Sequence, residues 1–190
     1  MLAIFGYISA ALSILMVVPY LRDIFLRKTK PERASWFIWL VLGLIAFSSQ
    51  LAKGATDSLW LTAGQTLAVF AVFLPALKFG VGGLSRRDIV ALIAAGFGLI
   101  LWYFTSEAAY ALAIVIAVDS IGSLLTAVKS YEDPSGETLS TWFMSGTAGV
   151  FGVLAVGAFQ PALLAYPLYI VIANYTIVLC LLLGRNKKGR

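Results

Sequence analysis

Long apolar stretches, separated by short polar segments, run along the whole chain. Seven of them come close to the ~20 residues that an α-helix needs to cross the ~30 Å hydrocarbon core of a bilayer. To within a few residues they occupy positions 2–21, 34–51, 58–77, 88–104, 108–128, 138–158 and 161–183. The pattern predicts an all-α integral membrane protein with seven transmembrane helices.

The basic residues lie almost entirely in alternate gaps between these stretches. Of the 14 Lys and Arg residues, only Lys53 lies on the opposite side; the others follow the first, third, fifth and seventh stretches. Because cytoplasmic loops carry the excess of Lys and Arg, this pattern predicts an N-terminus outside and a cytoplasmic C-terminus. The apolar N-terminus has no basic leader, so we expect an uncleaved first span of a multi-pass protein in the cell's inner (plasma) membrane.

The composition agrees with lipid as the solvent. The chain is 61% hydrophobic and 12% charged, with a mean hydropathy of +0.93, which is too little polar surface to cover a water-soluble globule. A net charge of +5 would suit nucleic acid, but these charges lie in short loops where they face anionic headgroups. The expected partners are therefore the lipid bilayer and a small-molecule solute, with no nucleic acid, and a homo-oligomer stays open.

The two halves of the chain look like copies of one another. The segment 35–37 (SWF) recurs as 141–143 (TWF), 106 residues further on, and the same offset relates Gly43 to Gly149. The halves predict a 3+1+3 arrangement: a first three-helix bundle at 1–80, a linker helix at 81–106 and a second three-helix bundle at 107–190. An odd linker helix lets both bundles insert with the same orientation, and such parallel repeats usually flank a site near the bilayer midplane.

Four segments carry a likeness to a known family. The run 18–30 (VPYLRDIFLRKTK) resembles a PQ-loop motif, in which Pro-Gln ends the first helix and a basic loop follows. The segments 42–47 (LGLIAF) and 63–67 (AGQTL) are similar to the second and third helices of bacterial SemiSWEETs, and 173–174 matches the Ala-Asn of their third helix. The resemblance implies a transporter of the SWEET/PQ-loop superfamily, whose members move sugars, amino acids or other small solutes by alternating access.

The chain departs from that pattern at several positions. Tyr20 replaces the Gln, the second copy has no proline near Ser120, and Phe47 and Val153 stand where the family places two cavity tryptophans. These departures weaken the case for a sugar substrate.

One acidic residue lies deep in an apolar stretch. Asp119 is about eleven residues into the fifth span, roughly half of the hydrocarbon thickness. A carboxylate there costs at least ~2.5 kcal/mol, so we expect it to face a cavity, pair with a donor or carry a proton. Its role is either proton coupling or cation binding, or it is a structural acid bonded to Ser120, Tyr20 or an amide on a facing helix.

The resemblance places Gln65 and Asn174 at equivalent points in the third helices of the two copies. Amides there offer donors and an acceptor for a polar solute, although hydrogen bonds between helices are the alternative. Gln50 is a further candidate for the cavity, and Phe47 is either an apolar wall or a packing residue. Pro19, with Tyr20 beside it, either forms a gate or ends the first helix.

The tryptophans fall near the predicted ends of spans. Trp36, Trp39 and Trp142 lie towards the cytoplasmic ends and Trp60 and Trp102 towards the outer ends, which is typical of interfacial anchoring rather than stacking.

Several classes of site are excluded by composition. The chain has no His and a single Cys, Cys180, and it contains no Walker loop, so neither a metal site nor a cofactor is expected. Asp119 has no evident second acid or nucleophile, which argues against an enzyme. We expect a membrane transporter that moves a small polar solute by alternating access, proton-coupled through Asp119. The alternatives are a receptor or sorting factor that binds a ligand in the same cavity, or a membrane scaffold.

Overall fold

The computed structural model describes residues 1–28, 31, 33–80, 108–132, 134 and 138–188, with a few isolated positions between 86 and 100. Regular structure in these ranges is helical. The linker helix expected at 81–106 lies almost wholly outside the described residues. The helices, in chain order, are α1 (Leu2–Leu15), α2 (Val17–Phe25), α3 (Arg33–Ala52), α4 (Leu59–Phe79), α5 (Ala108–Glu132), α6 (Leu139–Val156) and α7 (Pro161–Lys188).

Each predicted apolar span that falls within the described ranges is a helix, with α1 and α2 together forming the first. The predicted ends were too early at three places, because α2, α5 and α7 continue to Phe25, Glu132 and Lys188. The apolar pattern marks only the part of a helix that lies in hydrocarbon. Basic residues continue α7 beyond it, where they interact favourably with the partial negative charge at a helix C-terminus.

Pro19 lies just after an interruption of the first span and does not end it. The ring of a helical proline clashes with the carbonyl four residues earlier, which here belongs to Leu15, the last residue of α1. Met16 separates the two helices, and α2 carries Pro19 in its first turn. The combined segment Leu2–Phe25 is still 24 residues long. Helix termination at Pro19, one of the two alternatives from sequence, is therefore wrong.

Polarity in the described bundle is reversed relative to a water-soluble protein. Four helical segments are long and apolar enough to cross a membrane: Leu2–Phe25, Leu59–Phe79, Leu139–Val156 and Pro161–Lys187. Large apolar side chains such as Ile4, Leu67 and Ile172 are more than half exposed. Small polar and amide side chains are buried instead, namely Ser9, Ser13, Ser49, Gln50, Ser58, Thr62, Gln65, Ser130, Ser145 and Asn174. This distribution is that of a helical membrane protein, with apolar surface towards lipid and polar groups inside.

The helix contacts show the same order in the first and second halves of the chain. In the first half, α1 and α3 both pack on α4; in the second, α5 and α6 both pack on α7. We call α1–α4 the first trio, counting α1 and α2 as one span, and α5–α7 the second trio. Between the trios, α1 packs on α6 and α3 packs on α5. The first helix of each trio thus meets the second helix of the other.

Side-chain contacts fix the relative directions of the helices. Ser9 of α1 and Met16, directly after α1, make hydrogen bonds to Ala148 and Thr141 of α6 in reverse order, so these two helices are antiparallel. Phe143 of α6 lies against Tyr175 of α7, and a Cβ at Gly149 would meet Val171, so that pair is antiparallel too.

The other pairs follow in the same way. Asp119 bonds to Tyr169, and Gly184 lies against Ser130, so α5 and α7 run in parallel. Similar contacts make α4 parallel to α1 and antiparallel to α3. The first and third helices of both trios therefore run in one direction, and the second helices run in the other.

One end of the bundle carries most of the described basic side chains. These are Arg22, Arg27, Lys28, Arg33, Lys78, Arg185 and Lys187. The Arg33 Nε donates to the carbonyls of Ala76 and Leu77, each at 3.2 Å, and so caps the last turn of α4. Lys53 and Asp57 lie at the opposite end, between α3 and α4.

Candidate functional site

Asp119 lies near the middle of α5 and is hydrogen-bonded to a residue of α7. The Tyr169 hydroxyl donates to Asp119 Oδ2 at 2.6 Å. Ser123, one turn after Asp119, has its Oγ 3.0 Å from the same tyrosine oxygen. Because the single hydroxyl hydrogen of Tyr169 points to the carboxylate, Ser123 is the donor in that second bond. The result is a short chain of hydrogen bonds from Ser123 through Tyr169 to Asp119.

A second partner reaches Asp119 from the other trio. The side chain of Trp39, on α3, makes a hydrogen bond to Asp119, and the indole N–H is its only donor group. Trp39 is half-buried and packs against the cluster that contains Leu42, Leu112 and Val115. The sequence placed Trp39 in an interfacial belt without a stacking role, and that interpretation misses its contact with Asp119.

Ser120, one of the partners expected for a structural acid, bonds elsewhere. Ser120 Oγ donates to the Ile116 carbonyl of its own helix at 2.6 Å. The ring of Tyr20 lies against Trp36, with centroids 5.2 Å apart. The described partners of Asp119 are therefore a tyrosine and a tryptophan.

Aromatic rings continue away from Asp119 on both sides. Trp39 meets Trp36 edge to face with centroids 5.1 Å apart, and Trp36 in turn meets Tyr20. On α7, Tyr166 lies one turn before Tyr169, with ring centroids 6.3 Å apart. Tyr20 follows Pro19, so both residues predicted to form a gate lie on α2 at the end of this row of rings, towards the basic end of the bundle.

The two amides predicted to form a symmetric pair have different partners. Gln65 of α4 donates through Nε2 to Ser145 Oγ on α6 at 3.0 Å. Asn174 of α7 donates through Nδ2 to the Ile170 carbonyl of its own helix at 2.8 Å. Gln65 thus joins the two trios, whereas the described bond of Asn174 stays within one helix.

Gln50 belongs to a separate cluster of polar side chains between α3 and α4. Its Oε1 accepts a hydrogen bond from Thr62 Oγ1 at 3.0 Å, and both residues are fully buried. Gln50 Nε2 and the neighbouring Ser49 Oγ are buried without a hydrogen-bond partner. Phe47 is half-buried one turn before Gln50. Four of the five predicted binding residues therefore have polar contacts, and those contacts lie in four different places.

The sequence pointed to Asp119 but not to the residues around it. Ser123 could have been predicted from the sequence as a neighbour of Asp119, because residues four apart share a face of a helix. Tyr169 is 50 residues from Asp119 and Ser145 is 80 residues from Gln65, so only the packing of the helices brings each pair together. No single-sequence signal identifies such pairs.

The arrangement around Asp119 is a carboxylate held by neutral donors at the contact of the two trios. It offers one acceptor group that changes with protonation, and aromatic rings on either side. Within the described ranges, no three His, Cys, Asp or Glu side chains are grouped as metal ligands. Comparisons of the chain with protein-family models, with curated proteins and with solved structures each found no match.

Proposed function

We propose that this chain is a membrane transporter that moves a small polar solute by alternating access and couples that movement to a proton on Asp119. The observation that carries the proposal is the position of Asp119: it lies mid-helix in α5 and bonds to Tyr169 of its own trio and to Trp39 of the other. A group that changes charge at such a contact alters the bonds between the two halves when it gains or loses a proton.

The packing order supports two repeats that insert with the same orientation. Both trios place their third helix between the other two, and the contacts between trios are reciprocal. The first helices, α1 and α5, run in the same direction, as an odd linker helix at 81–106 requires. The bundles at 1–80 and 107–190 then form a 3+1+3 carrier whose halves rock against each other.

The charge distribution supports the orientation. The end of the bundle with Arg27, Arg33 and Lys78 faces the cytoplasm, with the C-terminus on the same side and the N-terminus outside. We propose the cell's inner (plasma) membrane as the location. The row of rings from Tyr20 to Trp39 then leads from the cytoplasmic side towards Asp119.

The degree of exposure around Asp119 also supports a cavity. Asp119, Ser123, Trp39 and Tyr169 are all half-buried, not fully enclosed. A charged group that faced acyl chains at this depth would be costly, so the open side of the cluster faces water or a solute in the proposed carrier.

Uptake into proteoliposomes tests the coupling. The purified protein is reconstituted with an imposed pH gradient and supplied with a panel of sugars, amino acids, nucleosides, amines and carboxylates. We expect one class to accumulate only with the gradient, and Asp119→Asn to remove the dependence on pH. Asp57→Asn, at the opposite end from the basic side chains, is the matched control. If Asp119→Asn transports normally at every pH, the coupling assignment fails and the carrier proposal remains.

A receptor or sorting factor is the second candidate, and specific bonds favour it. Gln65 is bonded to Ser145, and Ser9 donates to the Ala148 carbonyl, so the trios are joined at buried points that rocking must accommodate. Counterflow of a radiolabelled solute separates the two functions. A receptor shows saturable binding without accumulation inside the vesicle, whereas a carrier exchanges internal for external solute.

A further inference from the structure

The neighbours of Asp119 leave its negative charge without a described positive partner. On α5 and α7 the polar groups near Asp119 are the hydroxyls of Ser120, Ser123, Tyr166 and Tyr169, and on α3 the neighbour is the indole of Trp39. All of these groups are neutral. The next charged residue on α5 is Lys129, ten positions away, or about 15 Å along the helix.

Aromatic rings flank the carboxylate on two helices. Trp36 and Trp39 lie on the α3 side, and Tyr166 and Tyr169 lie on the α7 side. The face of an aromatic ring attracts a cation, and tryptophan does so most strongly. A carboxylate between such rings provides the two features that recognise an organic ammonium group: an opposite charge and a set of apolar surfaces that carry negative potential.

Other classes of solute fit this cluster less well. An anion would be repelled by the carboxylate unless that group were protonated. A sugar needs many donors and acceptors, but the Tyr169 and Ser123 hydroxyls are already bonded in series to Asp119. An ammonium ion needs only the charge and the rings.

We propose that the solute is an organic cation, a primary or substituted amine whose ammonium group binds between Asp119 and the rings of Trp39, Tyr166 and Tyr169. This inference rests on the proposed function, because it names the substrate class of the same site. The ammonium takes the place that no Lys or Arg fills among the described contacts of Asp119. Binding also brings a positive charge to the contact of α3 with α5.

Choline and its neutral isostere, 3,3-dimethyl-1-butanol, test the proposal. Both have the same branched shape, and only choline carries a charge. Thermal unfolding of the full chain in detergent is measured with each probe, since a ligand that binds the folded state raises the midpoint. We expect choline, tetramethylammonium or ethylammonium to raise the midpoint, the neutral alcohol to leave it unchanged, and Asp119→Asn to lose the shift.

A pair of tryptophan variants tests the rings. Trp39→Leu should weaken the affinity for choline roughly tenfold, from loss of a desolvated cation–π contact. Trp142→Leu removes a ring on α6 that packs against Ala127, Ile177 and Leu181, away from Asp119, and should leave the affinity unchanged. Because both variants lose a tryptophan, a general loss of stability would affect them alike.

The outcomes separate this inference from the transport function. An equal shift with the neutral alcohol, a full shift in Asp119→Asn, or no shift with any of the three ammonium ions overturns the cation site. Uptake of another solute class in the same preparation would leave the carrier in place. A cation shift that depends on Asp119, without uptake or counterflow of the bound amine, would support the cation site and overturn transport.

Discussion

The two largest contacts between the trios involve equivalent helices but different chemistry. Where α1 meets α6, Ser9 donates to the Ala148 carbonyl at 2.7 Å and Thr141 donates to the Met16 carbonyl at 3.1 Å. Where α3 meets α5, the bond runs from Trp39 to the carboxyl of Asp119. We call these contacts the α1/α6 joint and the α3/α5 joint.

The two joints differ in whether the hydrogen-bond acceptor can change its protonation state. A backbone carbonyl accepts a hydrogen bond at any ordinary pH, so the α1/α6 joint has one bonding state. A carboxyl accepts when ionised and donates when protonated, so the α3/α5 joint has two. In a pair of repeats that rock against each other, the α1/α6 joint can keep its hydrogen bonds while the hydrogen bond of the α3/α5 joint breaks and re-forms. In the proposed carrier, a single acidic residue in one repeat thus distinguishes the two joints.

The largest effect is expected from overpacking the α1/α6 joint. Ala148 is fully buried, and its carbonyl accepts the bond from Ser9. Ala148→Leu adds three carbon atoms at a close contact, which should lower the free energy of unfolding by about 1–3 kcal/mol. Thermal unfolding in detergent measures the change.

Val150→Leu is the control for that variant, because Val150 lies on the same helix and is 36% exposed. It should leave the midpoint nearly unchanged. Equal midpoints for the two variants would contradict the close packing of this joint and remove the distinction between the two joints.

Removal of the Tyr169 hydroxyl tests the hydrogen bonding of Asp119, the acid at the α3/α5 joint. Tyr169→Phe removes the donor to Asp119, at an expected cost of ~0.6–2 kcal/mol for a bond between helices in a membrane. It should also alter the pH dependence of transport, because the carboxyl then has one fewer donor. Both quantities are measured on the same reconstituted protein.

Tyr175 offers a matched hydroxyl on the same helix. Thr147 Oγ1 donates to the Phe143 carbonyl, so the 3.0 Å contact between Thr147 and Tyr175 is donated by the tyrosine. Tyr175→Phe should cost a similar amount of stability without changing the pH dependence. A change of pH dependence in both variants would show that altered helix packing, not the proton on Asp119, sets it.

The sequence predicted the helices well because lipid imposes a length. Every apolar stretch within the described residues is a helix, and Asp119 lies near the middle of α5, as its position in the fifth stretch predicted. The ends of α5 and α7 were not readable, because a helix continues past the hydrocarbon for as long as its side chains suit water.

The pattern of apolar residues could not predict the contacts around Asp119. Trp36 and Trp39 are three residues apart and look alike in sequence, yet Trp39 bonds to Asp119 and Trp36 lies between it and Tyr20. Which of them faces α5 depends on the rotation of α3 about its axis. Apolar residues of α3 occur on all of its faces, as expected for a helix within a membrane protein. The sequence therefore carries little information on the rotation of α3.

The smallest expected effect compares two buried serines on α1. Ser9 donates to the Ala148 carbonyl, whereas Ser13, one turn later, has a buried hydroxyl without a partner. Ser9→Ala should lower the free energy of unfolding by ~0.6 kcal/mol, the average for a bond between membrane helices. Ser13→Ala should leave it unchanged or raise it, because an unsatisfied polar group is removed from the interior. Thermal unfolding midpoints of the two variants measure the difference, and a larger loss for Ser13→Ala would mean that Ser13, not Ser9, makes the stabilising polar contact of α1.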